Sequence, residues 1–104
     1  MPTEKLLADV LQEYAQARKT GALYVSVTAA SENLVRFYFR DGIIYHISYG
    51  PLQDKECLDV LDCYDFGRTA FFSGLKTASV SSNLPKTEEI IALLRKNSKK
   101  VQLD

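Results

Sequence analysis

Residues 34–50 read LVRFYFRDGIIYHISYG. Val, Ile, Phe and Tyr fit a pleated, half-buried surface. Asp41-Gly42 between two such runs is the strongest short-range hairpin signal. The stretch is read as a β-hairpin with strands 34–40 and 43–49. On the first strand Val35, Phe37 and Phe39 share a dry face, and Arg36, Tyr38 and Arg40 share the other. The second strand has two open registers. A two-residue turn pairs Phe39 with Ile44 and puts Ile44 and His46 on the dry face. A three-residue turn pairs Phe39 with Ile43, so that Ile43, Tyr45 and Ile47 face the core and His46 faces out. A slip of one residue swaps every side chain between faces.

Upstream, Thr3 to Arg18 carries Leu6, Leu7, Val10, Leu11, Tyr14 and Ala15 at helical spacing. Thr3 is placed to cap that helix and Gly21 to end it. Ala22 to Thr28 alternates as a strand, with Leu23, Val25 and Val27 on the dry side, and 30–33 is a polar turn. Downstream, Gly50-Pro51 ends the sheet run. Asp54 caps a helix over about 55–64 that buries Cys57, Leu58, Leu61 and Tyr64. Phe66 to Ser73 is a short strand. The Ser-rich stretch 74–83 is a mobile or binding loop. A last helix opens at Pro85 or Thr87 and reaches Lys96. Residues 97–104 read as a frayed tail. The expected class is α+β: a single domain over 1–104, with an antiparallel meander of about four strands and helices before, within and after it, packed mainly on one face.

Bulk composition narrows the function. The chain has 104 residues, 46% of them hydrophobic, enough for one core. Thirteen basic and thirteen acidic side chains cancel. That leaves no net field for nucleic acid or an anionic membrane. No apolar run approaches a membrane span, and the first residues lack the pattern of a signal peptide. Cys57 and Cys63 match neither a redox nor a zinc spacing, and six residues apart on one helix they cannot bridge. These features point to a reducing cytoplasm.

The order of motifs resembles a known family. A helix leads into Thr20-Gly21-Ala22-Leu23. Phe39-Arg40-Asp41-Gly42-Ile43-Ile44-Tyr45-His46 follows, then a helix with Cys57-Leu58 and Leu61, then Tyr64 and Gly67 before a short strand. This resembles the PATAN-like domain, a bacterial domain of unknown function, over about residues 5–73. Asp54 stands where that family has Gly, Cys57 and Ile47 where it has Ala, and Thr69 where it has Phe. The resemblance implies a non-enzymatic interaction module of bacterial signalling. Its expected partner is a response regulator, a GTPase regulator or a similar signalling protein.

No residue set points to catalysis. His46 is the only histidine, and a general base or metal ligand needs partners that its strand does not offer. Asp59, Asp62 and Asp65 form a ridge on or beside a helix, which cannot wrap a cation. No phosphate-binding Gly motif is present, and no cofactor or metal is expected. The candidate protein-interaction surface is Tyr24, Arg36, Tyr38 and Arg40, rich in types that dominate interface energetics. That face is either covered by a helix or turned to a partner, including a second copy of the chain. The hairpin edge is an alternative interface. A second reading is a small-ligand sensor, with a pocket between sheet and helices lined by Tyr45, His46 and Tyr64.

Overall fold

The computed structural model describes residues 3–28, 34–61, 65–77, 84–96 and 99–103. The hairpin forms as read, from β3 (Leu34–Arg40) and β4 (Ile43–Tyr49). Asp41 and Gly42 both hold positive φ, 51° and 81°, the mirror-image turn that matches strand twist. This turn is docked as well as tight. The Gly42 N–H donates to Lys19 O at 2.9 Å, and the Asp41 N–H donates to Thr20 Oγ1 at 3.0 Å. A Cβ on Gly42 would stand 2.3 Å from Ala15 O, so only glycine allows this approach.

The register keeps part of each reading. Arg40 faces Ile43 and Phe39 faces Ile44, as a two-residue turn requires. The pairing then shifts, so that Tyr38 faces His46 and Phe37 faces Ile47. Tyr45 is the extra residue of a β-bulge. Ile44 and Ile47 therefore both reach the core, while His46 turns to the Tyr38 side.

Among the described residues, seven strands form one sheet in the order β1-β7-β6-β2-β3-β4-β5. They are β1 (Thr3–Leu6), β2 (Gly21–Val27), the hairpin pair, β5 (Leu52–Gln53), β6 (Phe66–Ser73) and β7 (Lys100–Leu103). All neighbours are antiparallel except β6 and β7, which are parallel. The α+β class stands, but the sheet has seven strands instead of about four. Three were not expected. Residues 3–6, read as the first helical turn, pair with β7 from Thr3↔Leu103 to Leu6↔Lys100. Residues 100–103, read as a frayed tail, supply that partner and bury Val101. Each strand satisfies the backbone groups of the other, which neither terminal segment could do alone. Past Gly50-Pro51 the chain turns back and adds β5 to the end of β4.

The helices are α1 (Leu7–Gln16), α2 (Lys55–Leu61) and α3 (Thr87–Lys96). α1 starts after Leu6 with no side-chain cap, so Thr3 does not cap it. Arg18, at φ 53°, supplies the left-handed residue at its end, and the Lys19 N–H donates to Tyr14 O at 3.0 Å. Gly21 is instead the first residue of β2. Leu7, Val10 and Leu11 of α1, Cys57, Leu58 and Leu61 of α2, and Ile90, Ile91 and Leu94 of α3 join one cluster with Leu23, Val25, Val35, Phe37, Phe39 and Ile47. All three helices thus pack on the Phe37 face of the sheet. Tyr14 completes the layer, its ring 4.7 Å from that of Phe71 and 6.0 Å from that of Phe39. Among the described residues, no helix is long and apolar enough to cross a membrane.

Candidate functional site

The period of two along each strand puts every second residue of the central sheet on the face opposite the helices. There β2 presents Ala22 and Tyr24, β3 presents Arg36, Tyr38 and Arg40, and β6 presents Ala70 and Phe72. Cross-strand pairing sets Tyr24 beside Arg36 and, on its other side, beside Ala70. The four predicted surface residues therefore share one face. They are linked by stacking: the Arg36 guanidinium lies over the Tyr24 ring at 5.1 Å, and that of Arg40 lies over Tyr45 at 4.8 Å. The Tyr38 ring is 6.2 Å from Tyr45 and 5.7 Å from His46, and Tyr24 is 4.8 Å from Phe72. Tyr24, Arg36 and Tyr38 are half-buried; Arg40 and Phe72 are exposed. Burial, and then the neighbouring Tyr24 hydroxyl, push the Tyr38 hydroxyl above its ordinary range. The buried Nε of Arg36 has no hydrogen-bond partner among the described residues.

Tyr45 and Phe72 complete this surface and were missing from the sequence reading of it. The Phe71-Phe72 pair carried a signal, since a strand must send one ring to each face. Tyr45 belonged to this face in only one of the two open registers, and the bulge decided it.

The pocket read from Tyr45, His46 and Tyr64 does not form between sheet and helices at the first two residues. Both lie on the side of Tyr38, away from the helices, and Tyr64 lies outside the described residues. His46 is 3% exposed. Its Nδ1 is 3.1 Å from Asp54 Oδ1 but lacks the alignment of a hydrogen bond. Asp54 is occupied elsewhere: its Oδ1 accepts the Ile47 N–H at 3.0 Å, and its own N–H donates to Ile47 O at 2.7 Å. Asp54 does not cap α2 through its side chain. Its main-chain oxygen takes the Cys57 N–H at 3.0 Å instead.

The hairpin edge is closed at two points. The Ile44 N–H donates to Thr87 Oγ1 at 2.9 Å, and the Ile47 main chain is held by Asp54. A partner strand would have to displace both, which disfavours edge addition. Cys57 is fully buried, and burial followed by the nearby Asp54 pushes its thiol up to about 12. It is a packing residue rather than a nucleophile. Cys63, Asp62 and residues 78–83 of the Ser-rich loop lie outside the described residues. Among the described residues, no group of three His, Cys, Asp or Glu converges as metal ligands do.

On the helix side, a groove of about 960 Å³ runs between α1, α3 and the hairpin turn, with Ala15, Gly42, Ile43, Ile91 and Ala92 among its lining. Ile43 borders it at the turn, where its pairing with Arg40 leaves it 61% exposed.

No family model matches the chain, and no curated protein or solved structure does either.

Proposed function

We propose that this protein is a non-enzymatic interaction module that binds another protein through the helix-free face of its sheet. The observation that carries this is the assembly of Tyr24, Arg36, Tyr38 and Arg40, with Tyr45 and Phe72, into one stacked surface that no helix of the described residues covers. Rigid aromatic and guanidinium groups contribute area and hydrogen bonds at a low entropic cost, which suits an interface centre. The blocked β4 edge favours face over edge as the route of association.

The resemblance to the PATAN-like domain gives this module its setting: bacterial, cytoplasmic signal transduction beside a response regulator or GTPase regulator. One geometric detail supports it. Asp54 sits at φ 54°, in the region that favours glycine, at a position where the family has Gly. The test is affinity capture of a candidate signalling partner by wild type beside the Arg36→Ala/Tyr38→Ala variant. The expected result is capture by wild type alone, with both proteins folded. Equal capture by both would remove this face from consideration.

The groove between α1 and α3 favours a second reading, a small-ligand sensor. Its volume is within the range of drug-sized sites. A ligand bound there only in the folded state would raise the melting temperature. A thermal-shift screen of metabolites and nucleotides without a single hit would count against it.

A further inference from the structure

We infer that the occupant of the helix-free face is an extended acidic segment of a partner protein, held by paired carboxylate contacts to Arg36 and Arg40. This rests on the reading of that face as the interaction surface, and adds the chemistry of what it binds.

The argument is one of charge. The whole chain is balanced, thirteen against thirteen, but this face is not. On the four central strands β6, β2, β3 and β4, the described residues of the face include Arg36, Arg40 and Arg68 and no carboxylate. Two acids stand at its border: Asp54, buried against Ile47 and His46, and Asp41, in the hairpin turn after Arg40. On the sheet itself, Glu4 of β1 lies beyond β6 and β7. A local cationic strip on a neutral protein recruits anionic groups at short range without a long-range field.

The arginines are prepared for carboxylates in particular. Each of Arg36 and Arg40 holds its guanidinium carbon over a tyrosine ring, at 5.1 and 4.8 Å, which restricts the freedom of the fork. A restricted planar fork loses less entropy on forming two parallel hydrogen bonds to a carboxylate. The buried Nε of Arg36, without a hydrogen-bond partner among the described residues, is a donor that a bound acceptor would satisfy. Arg36 and Arg40 are four residues apart on one strand, about 13 Å at the usual strand rise. Carboxylates four residues apart on an extended segment have the same spacing.

The same facts weigh against two other occupants. A second copy of this face would bring a strip of the same charge against it in an isologous contact. A single-stranded nucleic acid needs open ring faces for its bases, and here guanidinium groups already lie over Tyr24 and Tyr45.

The experiment uses the full chain and three labelled probes, read by fluorescence anisotropy. One is a Thr- and Val-rich peptide with two glutamates four residues apart. The second is its twin with glutamine at both positions, and the third is oligothymidylate. The expected result is that the acidic peptide binds at least tenfold more tightly than its twin, less so as salt rises. Arg36→Gln/Arg40→Gln should remove that preference without moving the melting temperature. Arg36→Lys/Arg40→Lys, which keeps the charge and loses the fork, should fall between. Equal affinity for the twins, no binding of either, or a preference for oligothymidylate would each overturn the inference. If the acidic peptide fails while Arg36→Ala/Tyr38→Ala still abolishes partner capture, the face remains the interaction surface and only its acidic occupant is lost. If capture also survives that variant, both readings fall.

Discussion

Asp54 stabilises a junction that no regular element could make. Its carboxylate takes the Ile47 N–H, and its main chain begins α2 from a left-handed conformation. Replacing it by alanine leaves a buried N–H unpaired, at a cost of about 2 kcal/mol. Asparagine keeps the acceptor and tolerates the left-handed backbone, so Asp54→Asn should stay within about 1 kcal/mol of wild type. Urea denaturation of the two variants checks this, and equal losses would show that the acceptor is unimportant. Cys57 gives a prediction in pH. Its folded thiol is held at about 12, against an ordinary value of 9.0. Between these values the unfolded chain has released that proton and the folded chain has kept it. The unfolded state then binds fewer protons, so stability falls as pH rises above 9. Cys57→Ala should be less stable at pH 7 but show a shallower decline from pH 8.5 to 10.5, measured by denaturation at each pH. Parallel profiles would exclude Cys57 as the cause.

At the scale of elements, β1 and β7 are the least predictable and the most interdependent. Their ladder is mutual, and the Leu7 N–H that opens α1 donates to Lys99 O at 2.8 Å. Val101 is the buried anchor of β7. Val101→Ala should cost about 2 kcal/mol, and the loss should be local before it is global. Hydrogen exchange at the amides of Lys5 and Leu7 should quicken more than at Phe37, in the central sheet. Uniform acceleration would mean that the terminal strands unfold only with the rest. The hairpin shows the opposite behaviour. Its turn was legible from Asp41-Gly42 alone, because both residues accept positive φ and few other pairs do. Its bulge was not legible, because β4 carries apolar groups on both faces and neither phase leaves a dry face bare.

At the scale of the molecule, one sheet carries helices on a single side, and the other side is cationic and aromatic. Two such faces in contact would bring one cationic strip against another. Sedimentation should therefore show no self-association that depends on Arg36 and Tyr38. A dimer abolished by Arg36→Ala/Tyr38→Ala would contradict this and would make the face a self-association surface. The groove between α1, α3 and the hairpin turn lies on the helix side, so a small ligand there and a protein on the sheet face could bind together without steric conflict.

The elements of this protein were determined by the sequence alone wherever the signal is local. Period-two alternation defined β2 and β3, helical spacing defined α3, and Phe66 to Ser73 was bounded by its own residues. The shared face of Tyr24, Arg36, Tyr38 and Arg40 followed from the same alternation once β2 and β3 were paired. Tertiary structure decided what depends on a distant partner. Residues 3–6 satisfy a helical stripe as well as they satisfy a strand, and they become a strand because 100–103 arrives to pair with them. His46 could face either way, and the bulge opposite Tyr38 turned it. Both cases have the same physical cause: a backbone hydrogen bond between strands is contributed by two segments, and neither segment's sequence records where the other lies.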